Sequence, residues 1–441
     1  MDPSPTSDAR SCAANLVHEV LHRRRPFDEA FSGRADLGAL DPRDRAFARL
    51  IAATALRRLG QIDAVITHCL DRPLPDKAAR GADILRTGMA QILFMDTPPH
   101  AAVDRTVAQF SGRALAPYRK LANAVMRRAV REGAALIGEQ DSARLNTPDW
   151  LWQAWQAAYG DETCRRIAEI HAGEPMLDIT VRDGGDDADG WAELLAAKVL
   201  PTGTLRRETG GLVPDLAGFA DGSWWVQDAA AALPAKLLIG ALGETVNGMT
   251  VADLCAAPGG KTAQLAAAGL KVTAVDRSPA RMKRLSENLA RLRLAAELVE
   301  MPVEDWRPAD RFDAILLDAP CTATGTIRRH PDIARLKSAD DVGRMARVQS
   351  RLLAAAGELV KPGGILVYSV CSMQPEEGPA GIAAFLAAGA PFERTPVGPG
   401  EIGGLREAVT NDGDLLTLPC HLAEKGGLDG FYAARLRRVA G

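Results

Sequence analysis

The sequence predicts an α/β protein whose doubly wound, mostly parallel sheet is preceded by an all-helical domain and a small α+β connecting module. From Asn247 onward, short apolar runs alternate with helical patterns, which is typical of parallel strands linked by helices. Residues 9–140 show helical periodicity alone, and the residues between these two regions mix both patterns. The chain has 441 residues, enough for such a division, and the predicted domains are 1–140, 141–230 and 231–441.

The N-terminal domain is predicted to be a helical bundle, because Ala, Leu and Arg recur at helical spacing between segments marked by Pro and Gly. The predicted helices are 9–22, 44–71, 76–95, 100–110 and 117–132. Basic residues come in groups, at 23–25, 57–58 and 127–128. Each group is consistent with a solvated helix face or with a surface that contacts phosphates.

The connecting module is predicted to contain both helices and strands. A helix covers 161–171, and the alternating residues at 176–182 predict a strand. Trp224 and Trp225 precede a helix at 229–242, and we interpret both rings as core residues rather than as a platform for stacked bases. The sequence assigns this module no chemistry of its own.

The C-terminal domain is predicted to be the doubly wound sheet. The predicted strands are 249–254, 271–275, 296–301, 312–317 and 364–370. The predicted helices are 261–268, 278–292, 340–361 and 377–388. A closing strand pair is expected near 415–418 and 430–436. In open α/β sheets, ligands bind outside the carboxyl ends of the strands, so residues that follow these strands are candidates for one site.

Composition excludes several classes of protein. The net charge is -3, so any surface that binds nucleic acid must be local. There is no apolar run long enough for a membrane span and no signal-peptide pattern at the N-terminus. The seven cysteines are scattered without Cys-x-x-Cys spacing, and the seven histidines do not cluster along the sequence. We therefore expect a monomer in the reducing cytoplasm, with no metal and no membrane partner.

A glycine-rich loop after the first predicted strand of the sheet indicates a nucleoside site. The loop consists of Cys255, Ala256, Ala257, Pro258, Gly259, Gly260 and Lys261. Its glycines allow a ligand to approach the backbone, and the helix that follows presents N–H groups. Asp276 ends the next strand, at the separation where an acidic residue binds ribose hydroxyls. Because the loop is neither Gly-x-Gly-x-x-Gly nor a Walker loop, we expect a nucleoside without phosphates, such as S-adenosylmethionine.

Two cysteines follow strands that are consecutive in the chain, Cys321 after the strand at 312–317 and Cys371 after the strand at 364–370. A buried cysteine by itself is usually a small apolar residue. Two thiols beside Asp318 and a nucleoside loop indicate covalent catalysis on cytosine. Addition of a thiolate to C6 makes C5 nucleophilic enough to accept a methyl group, and an acid near N3 stabilises the adduct. Asp318 is the candidate acid.

Three phrases in the C-terminal domain resemble the RNA (cytosine-5) methyltransferase family. They are 253–261 (DLCAAPGGK), 318–325 (DAPCTATG) and 368–372 (YSVCS). Phrases in the N-terminal domain, including 84–88 (ILRTG) and 123–127 (NAVMR), are similar to the NusB-type RNA-binding domain. With Ile327 to Asp332 (IRRHPD), the whole chain resembles the bacterial RsmB (Sun/Fmu) enzymes, which methylate a cytosine in 16S ribosomal RNA. The resemblance implies a Rossmann-like methyltransferase domain.

The resemblance also implies roles for individual residues. Cys371 matches the nucleophile, and Cys321 matches the second cysteine, which helps to release the product. Residues 255–261, Asp276 and Asp318 match positions that contact S-adenosylmethionine, and Asp318 also lies against the target base. A further set matches a loop near the RNA, and cations there are suited to hold the backbone of a flipped nucleotide. This set is Arg328, Arg329 and His330.

The sequence departs from the family at one position, after the third predicted strand of the sheet. The family usually has an acidic residue there that reads the adenine amino group, whereas this chain has Pro302. The adenine amino group would then be read either by Glu304 or Asp305 or by backbone groups near Val303.

Other functions would require different residues or a different substrate. The same chemistry could act on transfer RNA or another RNA. A non-catalytic RNA-binding assembly factor would not need both cysteines, Lys261, Asp276 and Asp318. An exocyclic-amine methyltransferase would carry Asn/Asp-Pro-Pro-Tyr/Phe where this chain has Asp318-Ala-Pro-Cys321. A dithiol redox role would require the two cysteines to form a disulfide readily.

Overall fold

The computed structural model describes residues 8–183, 187–208, 211–243 and 246–439. The chain divides into two compact units. The helical unit comprises the residues up to Gly173 together with Ile327–Ser338, and the sheet unit comprises Glu174–Thr326 and Ala339–Gly441. Within the described ranges, no helix is both long enough and apolar enough to span a membrane.

The helices are, in chain order, α1 Ala9–Arg23, α2 Phe27–Ser32, α3 Ala35–Gly38, α4 Pro42–Arg57, α5 Leu59–Cys69, α6 Ala79–Phe94, α7 Pro99–Ala108, α8 Gly112–Leu115, α9 Arg119–Glu139, α10 Ser142–Asn146, α11 Asp149–Tyr159, α12 Asp161–His171, α13 Ala188–Leu194, α14 Ala229–Leu242, α15 Gly260–Ala267, α16 Pro279–Leu292, α17 Ile333–Leu336, α18 Ala339–Glu358 and α19 Pro379–Ala387. The strands are β1 Leu177–Val181, β2 Ala197–Val199, β3 Leu205–Arg207, β4 Trp224–Val226, β5 Thr250–Leu254, β6 Lys271–Asp276, β7 Glu297–Glu300, β8 Phe312–Asp318, β9 Val360–Val370, β10 Phe392–Arg394, β11 Leu415–Thr417 and β12 Phe431–Arg438.

The helical unit contains α1 to α12 and α17. Side chains at its helix starts satisfy exposed backbone N–H groups, as when Asp8 accepts a hydrogen bond from Ser11 N at 2.7 Å at the start of α1. The predicted helix over 44–71 is two helices, because Arg58 leaves the helical conformation with ψ of 18°. After this break, Gly60 approaches the Leu145 carbonyl so closely that an added Cβ would lie 1.8 Å from its oxygen.

The predicted connecting module is shared between the two units. Its helices α10 to α12 belong to the helical unit, and its strands β1 to β4 belong to the sheet unit, where they form an antiparallel sheet in the order β2-β3-β1-β4. Trp224 and Trp225 are buried, at 0% and 5% exposure, in agreement with their interpretation as core residues. The division into domains at 140 and 230 stays a prediction.

The larger sheet has the order β10-β12-β9-β8-β5-β6-β7, and β11 pairs with β12. Strands β5 to β9 are parallel, whereas β12 runs antiparallel to β9 and to β10. This topology confirms the predicted doubly wound, mostly parallel sheet, and the β11–β12 pair is the expected closing pair. The strand order reverses between β5 and β8, so their carboxyl ends form the crevice where ligands bind in such sheets.

Candidate active site

The glycine-rich loop lies between β5 and α15, at the point where the strand order reverses. Its backbone leaves the ordinary helical and extended regions at Cys255, with φ of 60°, and at Gly259, with φ of 102°. Glycine is required at 259, because an added Cβ would lie 2.9 Å from Leu285 Cγ in a conformation that side chains rarely adopt. At these two positions the loop brings its backbone close to neighbouring groups.

Asp276 is the last residue of β6 and is fixed by the loop beside it. Its Oδ2 accepts a hydrogen bond from Ala257 N at 3.2 Å, and its Oδ1 accepts one from Ser278 N at 3.0 Å. Arg281 forms an ion pair with the same carboxylate at 3.3 Å. A carboxylate has about four acceptor positions, so this carboxylate keeps capacity for the hydroxyls of a ribose. These residues fit a nucleoside ligand.

Asp318 ends β8 and lies across the crevice opening from the glycine-rich loop. Lys261 Nζ donates to Asp318 Oδ2 at 2.8 Å, and Ser369 Oγ of β9 donates to Asp318 Oδ1 at 3.0 Å. The ammonium of Lys261 lies 4.8 Å from the centre of the Phe431 ring. Asp318 is 30% exposed whereas Lys261 is 9% exposed, so the carboxylate faces the open crevice with its orientation fixed from both sides.

Asp253, on β5, is a buried carboxyl group beneath this pair. Thr262 Oγ1 donates to its Oδ2 at 2.6 Å, and its Oδ1 has no hydrogen-bond partner among the residues that the structure describes. Burial raises the pKa of Asp253 to about 7, and the neighbouring charge of Asp318 adds to the effect. Sequence reasoning did not single out this residue, although it opens the phrase that carries the glycine-rich loop.

The two cysteines meet at the ends of the adjacent strands β8 and β9. The Sγ atoms of Cys321 and Cys371 are 3.3 Å apart. The pKa of the Cys321 thiol is raised well above its ordinary value, first by its hydrogen bond with Cys371 and then by burial. Cys321 therefore stays protonated, and the shared hydrogen is available to the sulfur of Cys371.

A third cysteine, Cys255, lies in the glycine-rich loop. Burial raises the pKa of its thiol well above the ordinary value, and the carboxylate of Asp276 adds to this rise. Because the thiolate is the reactive form, Cys255 is not suited to be a nucleophile. Its predicted role as a contact of the cofactor stays a prediction.

The residues predicted to contact RNA lie on the segment 327–338, which belongs to the helical unit. Arg328 is 1% exposed, and its predicted role toward RNA stays a prediction. His330 Nδ1 lies 3.2 Å from Asp28 Oδ2, and this hydrogen bond holds the pKa of Asp28 below its usual range. Arg329 and His330 are half-buried, and their role toward RNA stays a prediction.

Histidines do cluster in one place in space, contrary to the expectation from their spacing. His18 Nδ1 and His22 Nε2 lie 2.8 Å and 3.1 Å from the buried carboxylate of Asp83. Arg86 donates to the other carboxylate oxygen of Asp83 at 2.8 Å. The charge of Asp83 is thus already compensated, and we interpret the group as a hydrogen-bonded cluster between α1 and α6.

Comparisons with known proteins show which family the chain is similar to. The model of the family 16S rRNA methyltransferase RsmB/F matches residues 241–437, and that of the NusB family matches residues 7–131. The chain is 36% identical to ribosomal RNA small subunit methyltransferase B of Pseudomonas putida, over 98% of both chains. It is 34% identical to the protein of the same name from Vibrio vulnificus, over 98% of this chain and 100% of that one. A crystal structure of the protein PH0851 shares the fold with a TM-score of 0.73 and 21% identity, over 99% of each chain.

Proposed function

Because the chain belongs to the 16S rRNA methyltransferase RsmB/F family, whose methyl donor is S-adenosylmethionine, we propose that it methylates C5 of a cytosine in 16S ribosomal RNA. The reaction proceeds through a covalent adduct between Cys371 and C6 of the base. The observation that carries this proposal is the 3.3 Å separation of the Cys321 and Cys371 sulfurs at the carboxyl ends of adjacent strands.

The methyl donor would be held by the glycine-rich loop, Asp276 and Asp318. When bound, S-adenosylmethionine supplies an electrophilic methyl group on its sulfonium sulfur. Asp276 is positioned for the ribose, since Ala257 N of the loop and Ser278 N after β6 fix its two oxygens. Asp318 is oriented by Lys261 and Ser369, and in this proposal it would contact both the donor and the base.

The chain's own residues carry the chemistry of the base. The thiolate of Cys371 adds to C6, Asp318 gives a proton to N3 so that the ring does not keep a negative charge, and Lys261 stabilises the carboxylate that remains. C5 would then take the methyl group as the bond between that group and the sulfonium sulfur breaks, with its electron pair staying on the sulfur. A water molecule takes the C5 proton, the electrons of the C5–H bond restore the C5–C6 double bond, and the bond between C6 and Cys371 breaks with the thiolate as the leaving group. N3 returns its proton to Asp318. Cys321, which keeps its proton beside Cys371, assists this release. The cytosine must leave its stack to be reached from both faces.

Two cysteine variants test this mechanism. We expect Cys371→Ala to abolish transfer of tritiated methyl groups to 16S ribosomal RNA, because no adduct forms. We expect Cys321→Ala to form the adduct and release it slowly, so that a protein–RNA complex accumulates on a denaturing gel. Cys69→Ala, at a buried cysteine of the helical unit, is the control and should leave transfer unchanged.

A wild-type rate in the Cys371→Ala variant would exclude the proposed nucleophile. Absence of a complex with Cys321→Ala would exclude the release role of Cys321. Bisulfite mapping of RNA from cells with and without the protein identifies the methylated cytosine. A site found in transfer RNA instead would keep the chemistry and change the substrate.

A further inference from the structure

We propose that Glu377 is a positioning residue that fixes the two cysteine-bearing loops relative to each other, an inference that rests on the function proposed above. The two cysteine loops are 319–326, which follows β8, and 371–378, which follows β9. Glu377 is completely buried, at 0% exposure. Its carboxylate is bonded to the residue that directly follows each cysteine.

Both oxygens of Glu377 bridge the loops. Its Oε1 accepts hydrogen bonds from Thr322 N at 2.8 Å and from Gln349 Nε2 at 3.0 Å. Its Oε2 accepts hydrogen bonds from the hydroxyls of Thr322 and Ser372. Thr322 follows Cys321 and Ser372 follows Cys371, so one carboxylate sets the separation of the two chain segments that carry the thiols.

Glu377 is itself held in place from the sheet. Tyr368, in β9, donates its hydroxyl hydrogen to Glu377 O at 2.6 Å. Gln349, in α18, donates a further hydrogen bond to Pro320 O at 2.9 Å. Glu377 is therefore held by a strand through its main-chain carbonyl and by a helix through its carboxylate, and the loops take their position from these rigid elements.

The chemistry of this arrangement favours a functional role over simple packing. A buried carboxylate is costly unless its oxygens are hydrogen-bonded, and all of the donors here are neutral groups. An apolar residue would fill the same space without that cost. What the carboxylate adds is a set of directed hydrogen bonds between two loops that must present their thiols to one pyrimidine ring.

The charge of Glu377 also acts on the thiols. The pKa of Cys321 is raised first by its hydrogen bond with Cys371 and by burial, and the negative charge of Glu377 raises it further. A protonated Cys321 beside Cys371 is the state that the proposed release step requires. Glu377 thus fixes the position of Cys321 and adds to the effects that keep its thiol protonated.

Two variants of Glu377 separate these effects. Glu377→Ala removes the bridge, and we expect kcat for methyl transfer to fall roughly 100-fold, the size of effect that a misplacement of about 1 Å produces. The Kd for S-adenosylmethionine should be unchanged, because the donor residues are held by other contacts. Glu377→Gln keeps a carbonyl acceptor and an amide that can donate to the two hydroxyls, so it should restore most of kcat. Glu376→Ala, at the exposed neighbour, is the matched control.

Capture of the thiols by phenylarsine oxide measures their placement without any methyl transfer. Each capture breaks two S–H bonds, forms two As–S bonds and releases water, so it requires both sulfurs at a fixed short separation. We expect wild-type protein, Glu377→Gln and Glu376→Ala to bind the arsenical tightly, and Glu377→Ala to bind it at least ten-fold more weakly. Equal arsenical affinity and equal kcat in wild type and Glu377→Ala would overturn the proposal.

If Glu377→Ala has a folding defect, Ser372→Ala takes its place in the test. This variant removes the hydrogen bond from the Ser372 hydroxyl to Glu377, together with the contacts of that hydroxyl with Thr322, Thr324 and Gln374 N. Lower kcat and weaker capture in that variant, at unchanged Kd for the donor, support the proposal, and wild-type values overturn it. The Cys371→Ala variant tests the proposed function separately. A wild-type rate of methyl transfer in that variant would overturn the proposed function. Arsenical capture by wild type and by the Glu377 variants would still report the placement of the two thiols, because capture does not depend on which reaction the protein catalyses.

Discussion

At the scale of single residues, burial decides the protonation state of Asp253. Burial has the largest effect and raises the pKa of this carboxyl group from 3.8 to about 7; the hydrogen bond from Thr262 opposes the rise, and the negative charge of Asp318 adds to it. Between these two values the folded protein holds a proton that the unfolded chain has released. Stability from this group is therefore lost as pH rises through that window.

The variant Asp253→Asn should remove this pH dependence. In wild type, the free energy of unfolding should fall between about pH 5 and about pH 8, partly because of Asp253. In the variant this fall should be smaller by roughly 3 kcal/mol, since each pH unit within the window contributes ~1.4 kcal/mol. Urea unfolding at the two pH values measures it. An identical fall in both proteins would show that Asp253 is ionised when folded.

At the scale of elements, the main chain of Gly325 contacts both the loop after β9 and Gly430, the residue before β12. Gly325 N donates to Cys371 O at 3.0 Å, and Gly430 N donates to Gly325 O at 2.8 Å. An added Cβ at Gly325 would lie 1.8 Å from Gly430 O. Because that neighbour is backbone, no side chain can move aside to relieve the contact. Two main chains approach each other here at a distance that only glycine permits.

We expect Gly325→Ala to lower the free energy of unfolding by about 1–3 kcal/mol, as overpacking of a close contact does. Methyl transfer should fall as well, because the shift moves the main chain beside Cys371. Gly343→Ala is the control, since Gly343 is exposed in α18 and an added Cβ approaches only Arg347 Nη1, at 3.9 Å. Thermal unfolding and methyl transfer measured on both variants test the expectation; equal stability of the two would refute it.

At the scale of the whole molecule, the chain returns to the helical unit through 327–338 after building part of the sheet unit. Helix α2 begins after Pro26, which provides no side-chain cap. The cap comes from Asp332, whose Oδ2 accepts a hydrogen bond from Phe27 N at 2.9 Å although 305 residues separate them in the chain. Folding of the helical unit therefore depends on a segment that is synthesised after most of the sheet strands.

The variant Asp332→Ala should leave the buried N–H of Phe27 without an acceptor, at a cost of about 1–3 kcal/mol. Hydrogen exchange should increase in residues 27–32 and stay unchanged in the glycine-rich loop. Asp332→Asn retains an acceptor oxygen and should lose less. Equal rates of hydrogen exchange at residues 27–32 in wild type and Asp332→Ala would show that the cap does not stabilise α2.

Much of the sheet unit was predictable because its signals are local. Strand β5 and helix α14 follow from apolar runs bounded by turn residues, and the structure has them at Thr250–Leu254 and Ala229–Leu242. The break at Arg58 was missed, although basic residues followed by Gly60 are a helix-ending signal, because helical periodicity resumes after it and the close approach of Leu145 is a tertiary contact.

The sequence by itself determined the order of strands and helices and the chemical types of the groups that follow each strand, because periodicity and turn residues act over a few positions. Only the tertiary structure decided that the Cys321 and Cys371 sulfurs lie 3.3 Å apart, that Asp253 is protonated up to about pH 7, and that Glu377 ties the two cysteine loops together. Distances and pKa values depend on groups that are brought together from distant parts of the chain, and spacing along a sequence does not contain that information.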